Sequence, residues 1–258
     1  MSDWLHNLPV LWMALGVFGV TYLIAASIYA GVNALAVGER ARAFKAVSPG
    51  ILSPMGIVFG LYLAFTAAQV WGDIDRANAA VNREASAIVI FAASFPGEPE
   101  QQMRALVRRY IENTASLEWP MMAHHSAKPA ITPAPLAEAL RLDLSLTPLN
   151  RGQETAQREI ATSLESVLDA RRQRINISMS QVNWVKWSCL FVQAICLFLA
   201  IAVMHNDNRS SSALALGLFA TGVAVAVLLI ATHNRPFTGE ISVGPGPLLQ
   251  VLPEEKTS

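Results

Sequence analysis

Residues 8–35, LPVLWMALGVFGVTYLIAASIYAGVNAL, hold no Lys, Arg, Asp or Glu. At 1.5 Å rise per residue such a run crosses a ~30 Å hydrocarbon core. Three more runs follow the same pattern, from about Gly50 to Trp71, Val185 to His205 and Ala213 to Thr232. Each meets the length of about 20 apolar residues that a spanning helix needs. The pattern predicts a polytopic, all-α membrane protein: a four-helix transmembrane bundle with a helical extramembrane domain inserted between spans 2 and 3. A cleaved signal peptide is disfavoured for the first run, because Met1 to Leu8 carries Asp3 and no basic residue and the apolar core is too long.

Composition agrees. Hydrophobic residues make up 53% and charged residues 15% of the chain, and 19 basic residues balance 19 acidic ones. Soluble domains carry about 25% charged residues. No basic stripe or zinc-finger spacing points to nucleic acid. Cys189 and Cys196 share one face of the third run, and residues at that spacing on one straight helix are too far apart for a disulfide. They read as small packing residues.

The expected segments are 8–72 for the first two spans, 73–184 for the domain, 185–233 for the last two spans and 234–258 for an extended C-terminal tail. Nothing in DIDRANAAVNREASAIVIFAASF (73–95) stops a helix, so the second span is expected to continue until Pro96-Gly97. A helix from Glu98 or Pro99 to Trp119, stopped by Pro120, comes next. After a proline-rich loop, Pro135 opens a short helix with Leu136, Leu140 and Leu144 on one side. A long helix from Gln153, with Ile160, Leu164, Val167 and Leu168 on one face, is expected to enter the third span unbroken.

In the second span Gly56, Gly60, Ala64 and Ala68 form a small-residue stripe suited to close helix packing. A pore lined by this span would then use another face, that of Phe59, Leu63, Thr66 and Val70. Arg40, Arg42 and Lys45 in the loop after the first span favour a cytoplasmic loop, hence an N-terminus and a domain outside. The arginines flanking the spans on the domain side, Arg76, Arg83, Arg171, Arg172, Arg174 and Arg235, argue the reverse, but the rule gives less weight to large domains, so the balance leans to a domain outside.

Glu84 lies thirteen residues after Trp71 and Arg171 thirteen before Trp184. The two stand level, about 20 Å from those tryptophans, and Glu84 is expected to pair with Arg171 or Arg174. In Arg235-Pro236-Phe237 the proline ends the fourth span, the phenylalanine suits the apolar interface, and the guanidinium can bind phosphate or helix carbonyls. GPGP at 244–247 lacks the lysine and spacing of a phosphate loop. Adjacent His124 and His125 are poor chelators, so no metal is expected. No cofactor motif and no nucleophile-base set is visible, which argues against an enzyme. The spans hold no mid-membrane charge, which disfavours a coupled transporter.

Several of these residues together resemble a bacterial family of bestrophin-like membrane proteins, classified as a domain of unknown function. They are Arg83-Glu84-Ala85, Glu118-Trp119-Pro120, the stretch Ala170-Arg171-Arg172-Gln173-Arg174, and Arg235-Pro236-Phe237 with Gly239 and Pro245. The family pattern has an acidic residue where this chain has Asn234. A looser likeness, in span number and spacing, is to true bestrophins, pentameric anion channels with a cytosolic helical domain. The resemblance implies a homo-oligomer in the bacterial inner membrane, with lipid as its surroundings and an anion as the conducted species. The alternative is a membrane-anchored sensor or scaffold whose domain binds a partner or ligand.

Overall fold

A computed structural model describes residues 9–38, 44, 48–93, 99–145, 147–148 and 150–253. The described residues form helices and no strands. Pro96-Gly97 and the basic residues Arg40, Arg42 and Lys45 lie outside them. Among the described residues four helices are long and apolar enough to cross a membrane: α1 (Val10–Leu35), α2 (Leu52–Ala93), α7 (Trp184–Met204) and α8 (Arg209–His233). Between α2 and α7 lie α3 (Pro99–Asn113), a π-helical segment (Thr114–Glu118), α4 (Trp119–Ala123), α5 (Ala134–Ser145) and α6 (Arg151–Ser178), and α9 (Gly246–Gln250) follows α8. By its contacts the chain divides into two compact units, Met1–Gly72 with Gln181–Asn234 and Asp73–Ser180 with Arg235–Ser258.

The long α2 begins after a 3-10 turn capped by the Ser48 hydroxyl, which accepts the Gly50 N–H. It runs for 42 residues because nothing after its first-turn Pro54 breaks it. In the first unit α1, α2, α7 and α8 bury Met13, Val32, Phe59, Val70, Leu197 and Ile230 together. The Phe219 ring meets Phe198 edge-on at 5.0 Å and Phe59 at 5.9 Å. In the second unit the stripe Met103, Val107, Tyr110 and Ile111 of α3 recurs at helical spacing. It packs with Val81 and Ile88 of α2, Leu136 of α5, and Leu164, Val167 and Ile175 of α6. Each such large apolar side chain contributes about 1.5–3 kcal/mol on burial.

Three expectations are corrected. Pro120 does not stop a helix at Trp119. The π-helical segment ahead of it lets the Trp119 N–H reach five residues back to the Thr114 carbonyl. Proline then sits in the first turn of α4, where its missing N–H is not needed. The chain turns off only after Ala123, with His125 at a φ of 55°.

The helix from Asn150 does not enter the third span unbroken. It ends at Ser178, and a new helix starts at Trp184 with the Asn183 side chain accepting the Lys186 N–H at 2.9 Å. In between, the Val182 N–H donates to the Asn234 side chain at 2.7 Å. Short polar side chains that satisfy the backbone locally compete with helix and favour caps.

The C-terminal segment is folded and not extended. The Val243 N–H bonds the Pro236 carbonyl at 2.8 Å, α9 buries Leu248 completely, and Arg108 donates to the Pro253 carbonyl at 2.8 Å.

Asp143 of α5 is 1% exposed, and among the described residues neither carboxylate oxygen has a hydrogen-bond partner. Burial pushes its carboxyl above the usual aspartate range. The folded state therefore holds this proton more tightly than the unfolded one. Stability falls as pH rises from the unfolded pKa, ~3.9, through the raised folded value, and the whole penalty is present above it. Asp143→Leu is expected to stabilise the protein by about 1–3 kcal/mol at neutral pH. Melting of both proteins between pH 4 and 8 checks this: the gain must shrink toward acid, and a gain independent of pH contradicts it.

Candidate functional site

Two places hold the residues singled out by the sequence. The first is a closed ion-pair cluster in the second unit. Arg174 of α6 is fully buried. Its Nε donates to Glu84 Oε2 at 2.7 Å, and its Nη2 donates to Glu84 Oε1 at 3.1 Å and Glu118 Oε1 at 2.7 Å. Its Nη1 meets Met122 Sδ at 3.1 Å, and the guanidinium lies 4.7 Å from the Trp119 ring centre. One turn earlier Arg171 donates to Glu118 Oε2 at 2.8 Å and to the Ile131 carbonyl at 2.9 Å. Tyr110 donates a short hydrogen bond to Glu84 Oε1.

Two carboxylates thus meet two guanidiniums, so the cluster carries no net charge. Burial pulls the Arg174 guanidinium down, but the charge and hydrogen bonds of Glu84, with Tyr110 and Glu118, outweigh it and raise the group. Burial and then the Glu84 charge hold the Tyr110 phenol well above its usual range. The phenol stays protonated and donates. The carboxylate oxygens all have donors, which leaves no base facing a nucleophile. The arrangement binds α2, α3, α4 and α6 to one another.

Of the two partners expected for Glu84, the structure places Arg174, and Arg171 goes to Glu118. Trp119 also joins the C-terminal segment: its Nε1 donates to the Val243 carbonyl at 3.0 Å, and its ring meets Phe237 edge-on at 5.7 Å. Arg235 and Pro236 are buried beside Phe237, and the Thr238 hydroxyl donates to the Ala123 carbonyl at 3.0 Å. Arg83 is exposed and bonds back to the Ala79 carbonyl, outside the cluster, and Pro120 is exposed. Sequence reasoning missed Tyr110, whose signal was a phenol on the apolar stripe of α3. It also missed Met122 and the carbonyls of Ile131 and Val243, for which no side-chain signal exists.

The second place is the membrane half of α2. Phe59, Thr66 and Val70 are buried in the unit's own core, so the face expected to line a pore does not face one. The opposite side is bare. Ile57, Leu61 and Phe65 recur every four residues and are 61%, 54% and 73% exposed. Beside them Gly56, Gly60, Ala64 and Ala68 are exposed too, and a Cβ added at either glycine would meet nothing within 4 Å. Among the described residues the small-residue stripe packs against no other helix. Cys189 and Cys196 are likewise exposed and unbridged, so they are not core packing residues. Among the described residues no group of three or more His, Cys, Asp or Glu side chains could hold a metal.

Described residues that form helices and no strands, four of the helices long and apolar enough to cross a membrane, define a multi-pass membrane protein. A family profile for the bestrophin-like domain matches residues 19–248. The chain belongs to the bestrophin-like family. Its fold is similar to the crystal structure of a mutated bacterial bestrophin homologue from Klebsiella pneumoniae, at a TM-score of 0.71 and 10% sequence identity, covering 92% of this chain and 97% of that one. No curated protein sequence matches the chain.

Proposed function

We propose that this chain forms a homo-oligomeric anion channel in the bacterial inner membrane, with the exposed face of α2 lining the pore. In this reading four spans form the membrane bundle, and residues 73–184 make an extramembrane helical domain between spans 2 and 3. The observation that carries it is the ridge Ile57, Leu61 and Phe65, which stands bare on a helix whose other side is packed. In a ring of copies these side chains make successive apolar constrictions, which gate by excluding water. The small-residue stripe beside the ridge lets a neighbouring copy approach closely. The bestrophin family and the bestrophin-like fold support an anion as the conducted species.

Purified protein in liposomes tests this. Chloride flux from a ring of subunits is expected, raised several-fold by Phe65→Ser and lowered by Phe65→Trp. A folded monomer in sealed liposomes would sink the channel. The second reading, a sensor or scaffold whose domain binds a partner, is favoured by the unbroken α2, which can carry a movement along its length. A cysteine at exposed Ser126, in a chain without Cys189 and Cys196, assigns the domain to one side of sealed vesicles by labelling with an impermeant maleimide.

A further inference from the structure

Lys186 stands two residues inside α7. In α1, in α7, in α8 and in α2 as far as Gly72, the described residues contain one other Lys or Arg, Arg209, the first residue of α8. They contain no Asp or Glu, and among the described residues no carboxylate pairs with Lys186. Its backbone is fixed at both ends. The N–H donates to Asn183 Oδ1 at 2.9 Å, and the carbonyl accepts from the Tyr62 hydroxyl at 3.0 Å. The half-buried ammonium donates a short hydrogen bond to Gln69 Oε1 on α2. An ammonium has three donors, and Gln69 takes one.

Gln69 lies four residues beyond Phe65 and three before Gly72, at the shoulder of the bare ridge of α2. The ammonium is therefore held about one helical turn, ~5 Å, past the last apolar rung. A partly desolvated cation with no carboxylate partner among the described residues attracts an anion, since Coulomb energies grow as the local dielectric falls. We infer that Lys186, tethered by Gln69, is an anion-binding position at the mouth of the pore and sets its charge selectivity. This rests on the pore reading above. The ligand is a small inorganic anion, chloride in the first instance, in place of a lipid phosphate.

The test is the reversal potential across bilayers holding the full-length protein in a potassium chloride gradient. The wild type and Lys186→Arg are expected to prefer chloride. Lys186→Gln should lower the chloride preference on the order of tenfold, as loss of a unit charge from a partly desolvated site does, and Lys186→Glu should invert it. Gln69→Leu keeps the charge and frees it, so its preference should fall less, and it carries the test should Lys186→Gln not fold. Conduction with an unchanged preference in Lys186→Gln, or in Gln69→Leu in its place, overturns the inference and leaves the pore standing. If that variant instead copurifies with less phospholipid at unchanged preference, the ammonium holds lipid phosphate and the inference also falls. A folded wild type that conducts nothing removes the pore reading itself, and this inference with it.

Discussion

Replacing Arg174 by methionine is expected to destabilise the protein by about 3–5 kcal/mol, the usual penalty for breaking one side of a buried ion pair. Methionine fills much of the volume, so the loss is not mainly one of packing. It comes from Glu84, which is fully buried and would keep Tyr110 as its donor, and from Glu118, which would keep Arg171. Melting followed by tryptophan fluorescence should move down by roughly 10 °C, at about 2–4 °C per kcal/mol for a chain of this size. Glu84→Leu combined with Arg174→Met should recover more than half of the loss, because a buried pair exchanged for apolar groups is often neutral. Adding Tyr110→Phe should recover more by removing the orphaned hydroxyl. A single variant that melts within a degree of wild type would show that the pair is not closed in the protein. The reversed pair, Glu84→Arg with Arg174→Glu, should do better than either single change.

The second large effect is expected at Trp119. Its alanine variant loses the ring against Phe237, the N–H to the Val243 carbonyl and the face beneath the Arg174 guanidinium. Truncating a buried tryptophan costs about 3–5 kcal/mol. This site also has a local readout, because the same ring fastens residues 237–248. Trp119→Ala should make that segment sensitive to protease under conditions where wild type is resistant. Trp119→Phe keeps an aromatic ring and leaves the carbonyl unpaired, so it should cost about 1–3 kcal/mol. Equal protease resistance in all three proteins would separate the segment's order from this side chain.

The four apolar helices were legible because length and absence of charge are enough to mark them. Continuation of α2 past Gly72 was legible for a similar reason, the lack of any breaker. Glu84 and an arginine at equal height followed from counting residues, but the choice between Arg171 and Arg174 did not. Both point from one face of α6 and both reach Glu118, delivered by a different segment, but Arg174 is the one that also reaches Glu84. The break at 179–183 was misread because Met179 and Val182 are no helix breakers. The signal was the asparagine: Asn183 caps α7, and Asn234, distant in sequence, holds the turn. The faces of α2 were exchanged for a related reason. A small-residue stripe states how closely something can approach but not whether that neighbour belongs to the same chain.

The wide turn at Thr114–Glu118 has a consequence for how the sequence can change. A π turn holds one more residue than an α turn, so it sets the phase of everything after it relative to the apolar stripe of α3. Deleting Ser116 or Leu117 would restore an ordinary α-helix with little change in length. Because an α turn closes the same angle with one residue fewer, Glu118 and Trp119 would keep their direction. A residue lost from the ordinary α-helical turns of α3 would instead swing them by about 100° about the axis, one residue's rotation at 3.6 per turn. The carboxylate would then leave both arginines and the indole would leave Phe237. The wide turn is thus the one stretch of this helix that can give up a position without turning the ion-pair cluster away.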